Sequence, residues 1–439
     1  MNAALTWALA LWLAPPTASV PVEFVAQGRA PWCSAAAVAM AANARGASLR
    51  LLPLVRALPV AAEGIAWVDL REHLAPTVEV LPFQGSRADL MAAVAAGAPA
   101  VVSVRRGAGR HALVITGRDS TRAGPLLARL HSAGLATTCH CITGEPTVEA
   151  VVAGVAQAAA ADCDLVIGFG GGSAIDAAKA IAILARNPGN VTDHLEVIGH
   201  GRPITQPGLP CLAIPTTAGT GAEVTRNSGL ASPEHRVKVS LRSPLMLPTV
   251  ALVDPELTLD LPPALTASTG MDALTQLIEP YTCGRTNPLV DGLCVEALPR
   301  VARSLQRAAT DGRDASARSD MALASLSGGL ALANAGLGAV HGFAGPIGGM
   351  FSAPHGAVCA ALLPHVMAAN LQALRERSPR SPTLARYEHI ARLLTGNPQA
   401  IAADGVAWVT RLCRELAIPG LGRWDIGPAD FPEIVEKAQ

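Results

Sequence analysis

The stretch Asp164-Leu-Val-Ile-Gly-Phe-Gly-Gly-Gly-Ser-Ala-Ile-Asp-Ala-Ala-Lys179 constrains the fold of this chain more than any other. Its apolar run, Leu165 to Ile167, is of the kind that forms a buried parallel strand. Gly170, Gly171 and Gly172 then remove every Cβ where the chain must turn. Ser173 is expected as the N-cap of a following helix, with Asp176 in capping-box position. Ile175, Ala178, Ala182 and Ile183 give that helix an apolar face. Strand, bare turn and helix N-terminus direct free N–H groups and a positive dipole end at one spot. That is an anion site suited to a dinucleotide pyrophosphate. A tight turn that binds nothing has the same composition. A P-loop is excluded, because Ser173-Ala174 stands where Lys and then Ser/Thr are required. The GxGxxG pattern that begins at Gly168-Phe-Gly170 meets Ser173 at its third glycine.

Alternation around this stretch extends it into a sheet. Strands are expected at His111–Thr116, Ala136–Ile142 and Cys211–Pro215, and helices at Ala123–Ala133 and Val148–Ala160. Such a βαβ series makes a doubly wound, mainly parallel α/β sheet. From about Leu257 the pattern is helical. The division that follows is an apolar leader at 1–26, a segment at 27–110, an α/β domain at 111–257 and a helical domain at 258–439. Half of the 439 residues are hydrophobic and 15% are charged, enough core material for several domains. Lys plus Arg and Asp plus Glu both number 34 and form no basic run, which argues against nucleic acid and membrane surfaces as partners. Nine cysteines without a CxxC pair fit a reduced compartment, so the cytoplasm is expected. Cys139 and Cys141 are expected as two buried thiols. Ala3–Ala14 is apolar but falls short of the ~20 residues of a membrane span; export through this leader is the alternative.

The segment at 27–110 has its own pattern. Cys33 opens an alanine-rich helix, where a helix N-terminus makes a thiol more nucleophilic. With Gln27 before it and His111 opening a later strand, the order resembles the papain-like C39 cysteine peptidases. That resemblance implies Gln27 as oxyanion donor, Cys33 as nucleophile and His111 as base. The family expects an Asp or Asn on a further strand to orient the histidine, but the sequence changes character after Thr116 and offers no clear third member. A C39-like peptidase or peptide-binding domain is the alternative function, and an inactive fusion product the third reading.

In the helical half, Asp272 and Gln276 stand at i, i+4 and so share a helix face. A later helix, read across Gly336–Gly345, carries His341, and a Gly/Pro-rich turn leads to His355. Together these four side chains can form an O/O/N/N metal site. Separately, Asp272 is an ordinary cap and the histidines ordinary core residues. The turn Thr216–Gly221 offers hydroxyls to a cofactor, although such clusters also make plain loops.

Taken together, Asp164–Lys179, Ala213–Thr225, Val253–Leu257, Ser268–Thr275 and His341–His355 resemble the iron-containing alcohol dehydrogenase family, in the family's order, over about residues 111–439. The resemblance implies an α/β dinucleotide domain, a helical metal domain and an active site between them. It implies NAD or NADP at Gly117, Gly170, Gly171, Gly172, Ser173, Thr216, Thr217 and Lys238. It implies a divalent metal, Fe²⁺ or Zn²⁺, on Asp272, His341 and His355, with Gln276 where many members have a third histidine. The implied reaction is metal-assisted, NAD(P)-dependent interconversion of a small alcohol and its aldehyde or ketone, in a chain that can pair as a homodimer. Gln276 is a weaker, neutral ligand, so manganese or no metal also enters the range. Gly345 replaces a frequent second histidine and removes a proton-relay group. Gly117-Arg118 lacks the acid that excludes a 2′-phosphate, which admits NADP. Both ends of the dehydrogenase region read as trimmed, an expectation of exposed sheet edge or bundle core.

Overall fold

The computed structural model describes residues 111–438, together with a short antiparallel pair, Val60–Ala61 with Gly64–Ile65. The leader at 1–26, Gln27 and Cys33 lie outside the described residues.

From His111 the chain alternates as its pattern dictates. Strand β1 (His111–Thr116) leads through helix α1 (Gly124–Ser132) to β2 (Ala136–Cys141) and α2 (Val148–Ala160). Next come β3 (Leu165–Gly170), α3 (Gly172–Leu184) and β4 (Cys211–Pro215). A hairpin, β5 (Asn227–Ser232) and β6 (Val237–Arg242), and a short β7 (Val250–Ala251) complete this part. The sheet runs β2-β1-β3-β4-β7, every neighbour parallel. β3 lies between two strands and under α3, and all six of its residues are buried, which is why it reads as an unbroken apolar run. Strand order reverses between β1 and β3, and such sheets bind ligands beyond the C-terminal strand ends at that point. The two ends are adjacent: a Cβ built on Gly170 would stand 3.5 Å from the Gly117 nitrogen.

Three local expectations are corrected. Ser173 is not the cap of α3. Gly171, in extended backbone, is the N-cap residue and offers no side chain, so Ser173 already lies inside the first turn. The Asp176 carboxylate is directed instead to the hairpin, accepting from Gly229 N–H at 3.0 Å and pairing with Lys179 at 2.9 Å. Cys139 and Cys141 are exposed, not buried, on β2, which is the outer strand of the sheet among the described residues. The helix read across Gly336–Gly345 is broken: Gly336, at φ 91°, caps the helix Ala315–Ala335, and a new helix starts at Ala339.

Lys179 sits at 1% exposure and donates to the Ala222 carbonyl and the Thr225 hydroxyl, each at 2.9 Å, and to the Asn227 carbonyl. It thereby fixes the chain between the end of β4 and the hairpin. Replacing it with Met strands those acceptors, so Lys179→Met is expected to cost on the order of 3 kcal/mol. A denaturant midpoint that does not move would contradict this role.

The second half is a helical bundle built on α4 (Pro263–Thr282), in which every residue from Gly270 to Tyr281 is buried. Around it lie α5 (Pro288–Thr310), α6 (Ala315–Ala335), α7 (Ala339–Met350) and α8 (His355–Arg377). Helices α9 (Pro382–Thr395), α10 (Ala402–Glu415) and α11 (Phe431–Lys437) follow. Met271, Leu274, Leu277, Val301, Leu305 and Val358 form the centre of one apolar core. Arg318, 2% exposed, holds the start of α4 by donating to Thr266 Oγ1 and the Leu261 carbonyl. A helix so enclosed can present polar side chains only to partners inside the protein.

Candidate active site

Helix α4 carries Asp272, Gln276 and Glu279 at i, i+4 and i+7, one stripe of the helix. The break at Gly336 brings His341 to the first turn of α7, and His355 opens α8. Their polar atoms meet. His341 Nε2 lies 3.3 Å and His355 Nε2 3.8 Å from Asp272 Oδ1. Cys359, one turn along α8 from His355, places its sulfur 3.7 Å from His355 Nε2. One ligating atom from each of Asp272, His341, His355 and Cys359 falls within 4.8 Å of the rest.

Both Asp272 oxygens, Gln276 Oε1, His341 Nε2 and His355 Nδ1 are buried without a hydrogen-bond partner among the described residues. Buried polar atoms are rarely left so, and oxygen and imidazole groups facing one point suit a divalent first-row cation. The sequence-derived set Asp272, Gln276, His341 and His355 is therefore gathered at one place. Cys359 and Glu279 were missed. The Glu279 carboxylate accepts from His341 Nδ1 and from Val340 N–H, both at 2.7 Å, which turns Nε2 inward in the manner of carboxylates behind metal-binding histidines.

Burial would lower the His341 pKa, yet Cys359, Asp272 and Glu279 hold it well above the usual histidine value. Burial would likewise raise Asp272, but His355, His341 and Gln276 keep it below the usual carboxylate value. In the metal-free protein the His341 proton stabilises the fold fully below the ordinary histidine pKa of about 6.5, and this contribution is lost as pH rises through the raised value. A cation entering must displace that proton, so cation affinity is expected to climb over the same window, about tenfold per pH unit for each proton released. Zinc titrations on either side of neutrality check this; a flat profile would contradict it.

The cofactor-side residues form a second cluster. None of Gly170, Gly171 and Gly172 has positive φ, so what requires glycine is close approach. A Cβ on Gly170 would stand 2.7 Å from Ala174 Cβ, and one on Gly172 would stand 2.7 Å from Thr220 Cγ2. On Gly171 it would meet Thr217 Cγ2 at 3.3 Å. Ala174 and Ile175 N–H both close onto the Gly171 carbonyl. The Gly172 and Ser173 N–H groups ahead of them have no intrahelical acceptor. Thr216 is buried at the end of β4, its N–H donating to the Gly170 carbonyl at 2.9 Å, while Thr217 is half-buried. The same turn presses on α4: a Cβ on Gly219 would stand 2.7 Å from Thr269 Cβ, one helical turn before Asp272. Glycine turn, threonine turn and the Asp272 helix thus follow one another in contact.

Lys238, on β6, forms a 2.7 Å ion pair with Glu145, a partner 93 residues distant that sequence reasoning missed. The hairpin is held between α3, through Asp176 and Gly229, and α7, where Gly349 abuts the Val237–Lys238 backbone. Burial would lower the Lys238 pKa, but Glu145, then Asp176 and Asp272, raise it. His111 is a sheet residue, its ring 2.7 Å from Thr138 Oγ1 and its N–H directed at Asp164; the Gln27 and Cys33 of the peptidase reading lie outside the described residues. A Cβ on Gly345, in α7, meets nothing within 4 Å among the described residues.

A Cβ built on Gly117 meets nothing within 4 Å among the described residues, and the nearby Asp119 carboxylate is engaged by Thr121 N–H at 3.0 Å. Among the described residues the position therefore has room for a side chain to begin. Gly117→Asp is expected to weaken NADP(H) at least tenfold relative to NAD(H), because a fixed carboxylate repels a 2′-phosphate and accepts from a 2′-hydroxyl. Equal change in both affinities would contradict this.

The comparisons with known proteins agree with this geometry. The model described as iron-containing alcohol dehydrogenase matches residues 97–255, reaching upstream of the boundary read at 111. Its C-terminal counterpart, described as Fe-containing alcohol dehydrogenase family, C-terminal, matches residues 266–439. Long-chain-alcohol dehydrogenase 1 of Geobacillus thermodenitrificans (strain NG80-2) is 42% identical over 274 residues, 61% of this chain and 68% of that protein. A solved 1,3-propanediol oxidoreductase superposes with TM-score 0.69 at 35% identity, covering 75% of this chain and 86% of that one. Sulfoacetaldehyde reductase from Bifidobacterium kashiwanohense, solved in complex with NAD+, superposes with TM-score 0.65 at 28% identity, over 75% of this chain and 85% of that one. Parallel sheet, helical bundle and buried polar cluster accordingly belong to one lineage: the chain is a member of the iron-containing alcohol dehydrogenase family of alcohol–aldehyde oxidoreductases.

Proposed function

We propose that this chain transfers a hydride between NAD(P) and a small alcohol or its carbonyl product, in the cleft between the glycine turn and the α4 cluster. The observation that carries the reading is that buried, unpartnered Asp272, Gln276 and His341 atoms, with His355 Nε2 beside Asp272, gather at the helix that the threonine turn touches. When bound, a divalent cation supplies Lewis acidity toward the substrate oxygen, and nicotinamide supplies the redox chemistry.

The chain's own residues do the rest. The Gly172 and Ser173 N–H groups and the α3 dipole hold the pyrophosphate. Thr217 and Lys238 position the nucleotide, and Thr216 braces the turn from inside the sheet. Asp272, His341 and His355 hold the cation, and Glu279 fixes the His341 tautomer so that Nε2 faces it. Close packing of Gly172 on Thr220 and Gly219 on Thr269 keeps hydride donor and acceptor in one geometry, where orientation contributes most to rate. The division into a dinucleotide domain at 111–257 and a metal domain at 258–439 goes with this reading, as does a cytoplasmic site of action.

The test is metal content alongside NAD(P)H consumption with a panel of small aldehydes. Aldehyde-dependent turnover that a chelator abolishes supports the reading. A protein that binds neither NAD(P)H nor a divalent metal sinks it.

A further inference from the structure

We propose that Cys359 is a metal ligand, its thiolate supplying the strong fourth bond that a neutral Gln276 does not, so that the centre is an Asp–His–His–Cys site selecting zinc over iron. The inference rests on the reading of the α4 cluster as a metal site, and it concerns the identity of one ligand and one metal within it.

Geometry is the first argument. Zinc bonds of about 2.0–2.1 Å to nitrogen or oxygen and about 2.3 Å to sulfur imply tetrahedral edges of roughly 3.3 Å between N/O atoms and roughly 3.6 Å between S and N. The observed separations are 3.3 Å for His341 Nε2 to Asp272 Oδ1, 3.8 Å for His355 Nε2 to the same oxygen and 3.7 Å for Cys359 Sγ to His355 Nε2. These three edges are close to tetrahedral size, and the remaining separations in the cluster are within 4.8 Å.

Placement is the second. His355 and Cys359 occupy i and i+4 on α8, the spacing that puts two ligands on one helix face. Cys359 itself is 0% exposed, so its neighbours in this cluster, rather than solvent, determine what the sulfur bonds to. Asp272, Gln276 and His341 beside it are at least nine-tenths buried in their side chains and carry atoms without partners. A buried thiol serving only as packing needs no such company.

Ligand softness gives the third. An amide oxygen at Gln276 adds no charge, whereas a thiolate adds one and favours zinc; divalent iron already stands below zinc for a given N/O/S site. The substitution at Gln276 therefore leaves the site with altered rather than lost affinity.

The experiment uses the full chain, stripped with a chelator and reloaded with Co²⁺ as a spectroscopic stand-in for zinc. A near-ultraviolet thiolate-to-cobalt charge-transfer band alongside visible d–d bands is expected. Cys359→Ser, checked for folding by circular dichroism, should keep the d–d bands and lose the charge-transfer band. X-ray absorption of the zinc-loaded wild type needs no variant and should give one sulfur at about 2.3 Å. In anaerobic competition, zinc should be retained over iron by at least about tenfold, with the margin narrowing in Cys359→Ser. Cobalt d–d bands without charge transfer, or a zinc shell without sulfur, overturn the ligand assignment and leave the proposed function standing. Failure to bind cobalt at all overturns both.

Discussion

Asp272→Asn is expected to abolish metal retention while leaving the fold. The carboxylate is 1% exposed, lies at the centre of the cluster, and has no hydrogen-bond partner on either oxygen among the described residues. Asparagine keeps its volume and removes its charge. Loss of groups that merely orient ligands lowers metal affinity by about 10–100-fold, so removal of the sole carboxylate ligand should exceed about 100-fold, with alcohol oxidation falling by at least as much. Stability separates this from a packing defect. At a metal concentration a hundred times its Kd, wild type should gain about 2.7 kcal/mol from binding, and Asp272→Asn almost nothing. Equal metal-dependent shifts in Tm for the two proteins would remove Asp272 from the site.

Gly172→Val is the second large effect, and it strikes the other half of the cleft. A Cβ there would meet Thr220 Cγ2 at 2.7 Å and Oγ1 at 2.8 Å, so the threonine turn must yield or the helix N-terminus must withdraw. On the proposed reading, either movement takes two N–H groups off the pyrophosphate. Charge-assisted hydrogen bonds contribute about 1.5–3 kcal/mol each, so NADH affinity should fall by roughly 3 kcal/mol or more, about a hundredfold in Kd. Metal stoichiometry should stay at the wild-type value, since the substitution lies on α3 rather than on the cluster helices. Unchanged NADH binding would return the glycine turn to a purely structural role.

The contrast between what was legible in the sequence and what was not follows sequence distance and enclosure. Helix α2 and the strand β1 were readable to the residue, because Thr147, whose hydroxyl accepts from Ala150 N–H, starts the one and five successive buried residues define the other. The α3 start was misplaced by the serine rule. Ser173 is a good capping residue, but the close approach of the threonine turn, not the hydroxyl, determines where helical backbone begins. Exposure of Cys139 and Cys141 goes with β2 being the outer strand among the described residues, which strand order decides and local sequence does not.

At the site, Asp272, Gln276, His341 and His355 were found because motif order places them in one family pattern. Glu279 and Cys359 were within reach of simpler reasoning. Each lies on a ligand-bearing helix at i+7 or i+4 from a residue already singled out, and periodicity alone brings it to the same face. The Lys238–Glu145 and Lys179–Asn227 contacts were not within reach, since their partners come together only after the sheet and hairpin have packed.

Turnover tests the central claim most directly. The chelated and then metal-reconstituted full chain is mixed with NADH or NADPH and a small aldehyde, and nicotinamide oxidation is followed. Aldehyde-dependent oxidation that appears only after a divalent cation is restored, and is lost in Asp272→Asn and Gly172→Val alike, is the predicted result. A folded protein that holds both metal and NAD(P)H yet consumes none with any aldehyde would contradict it.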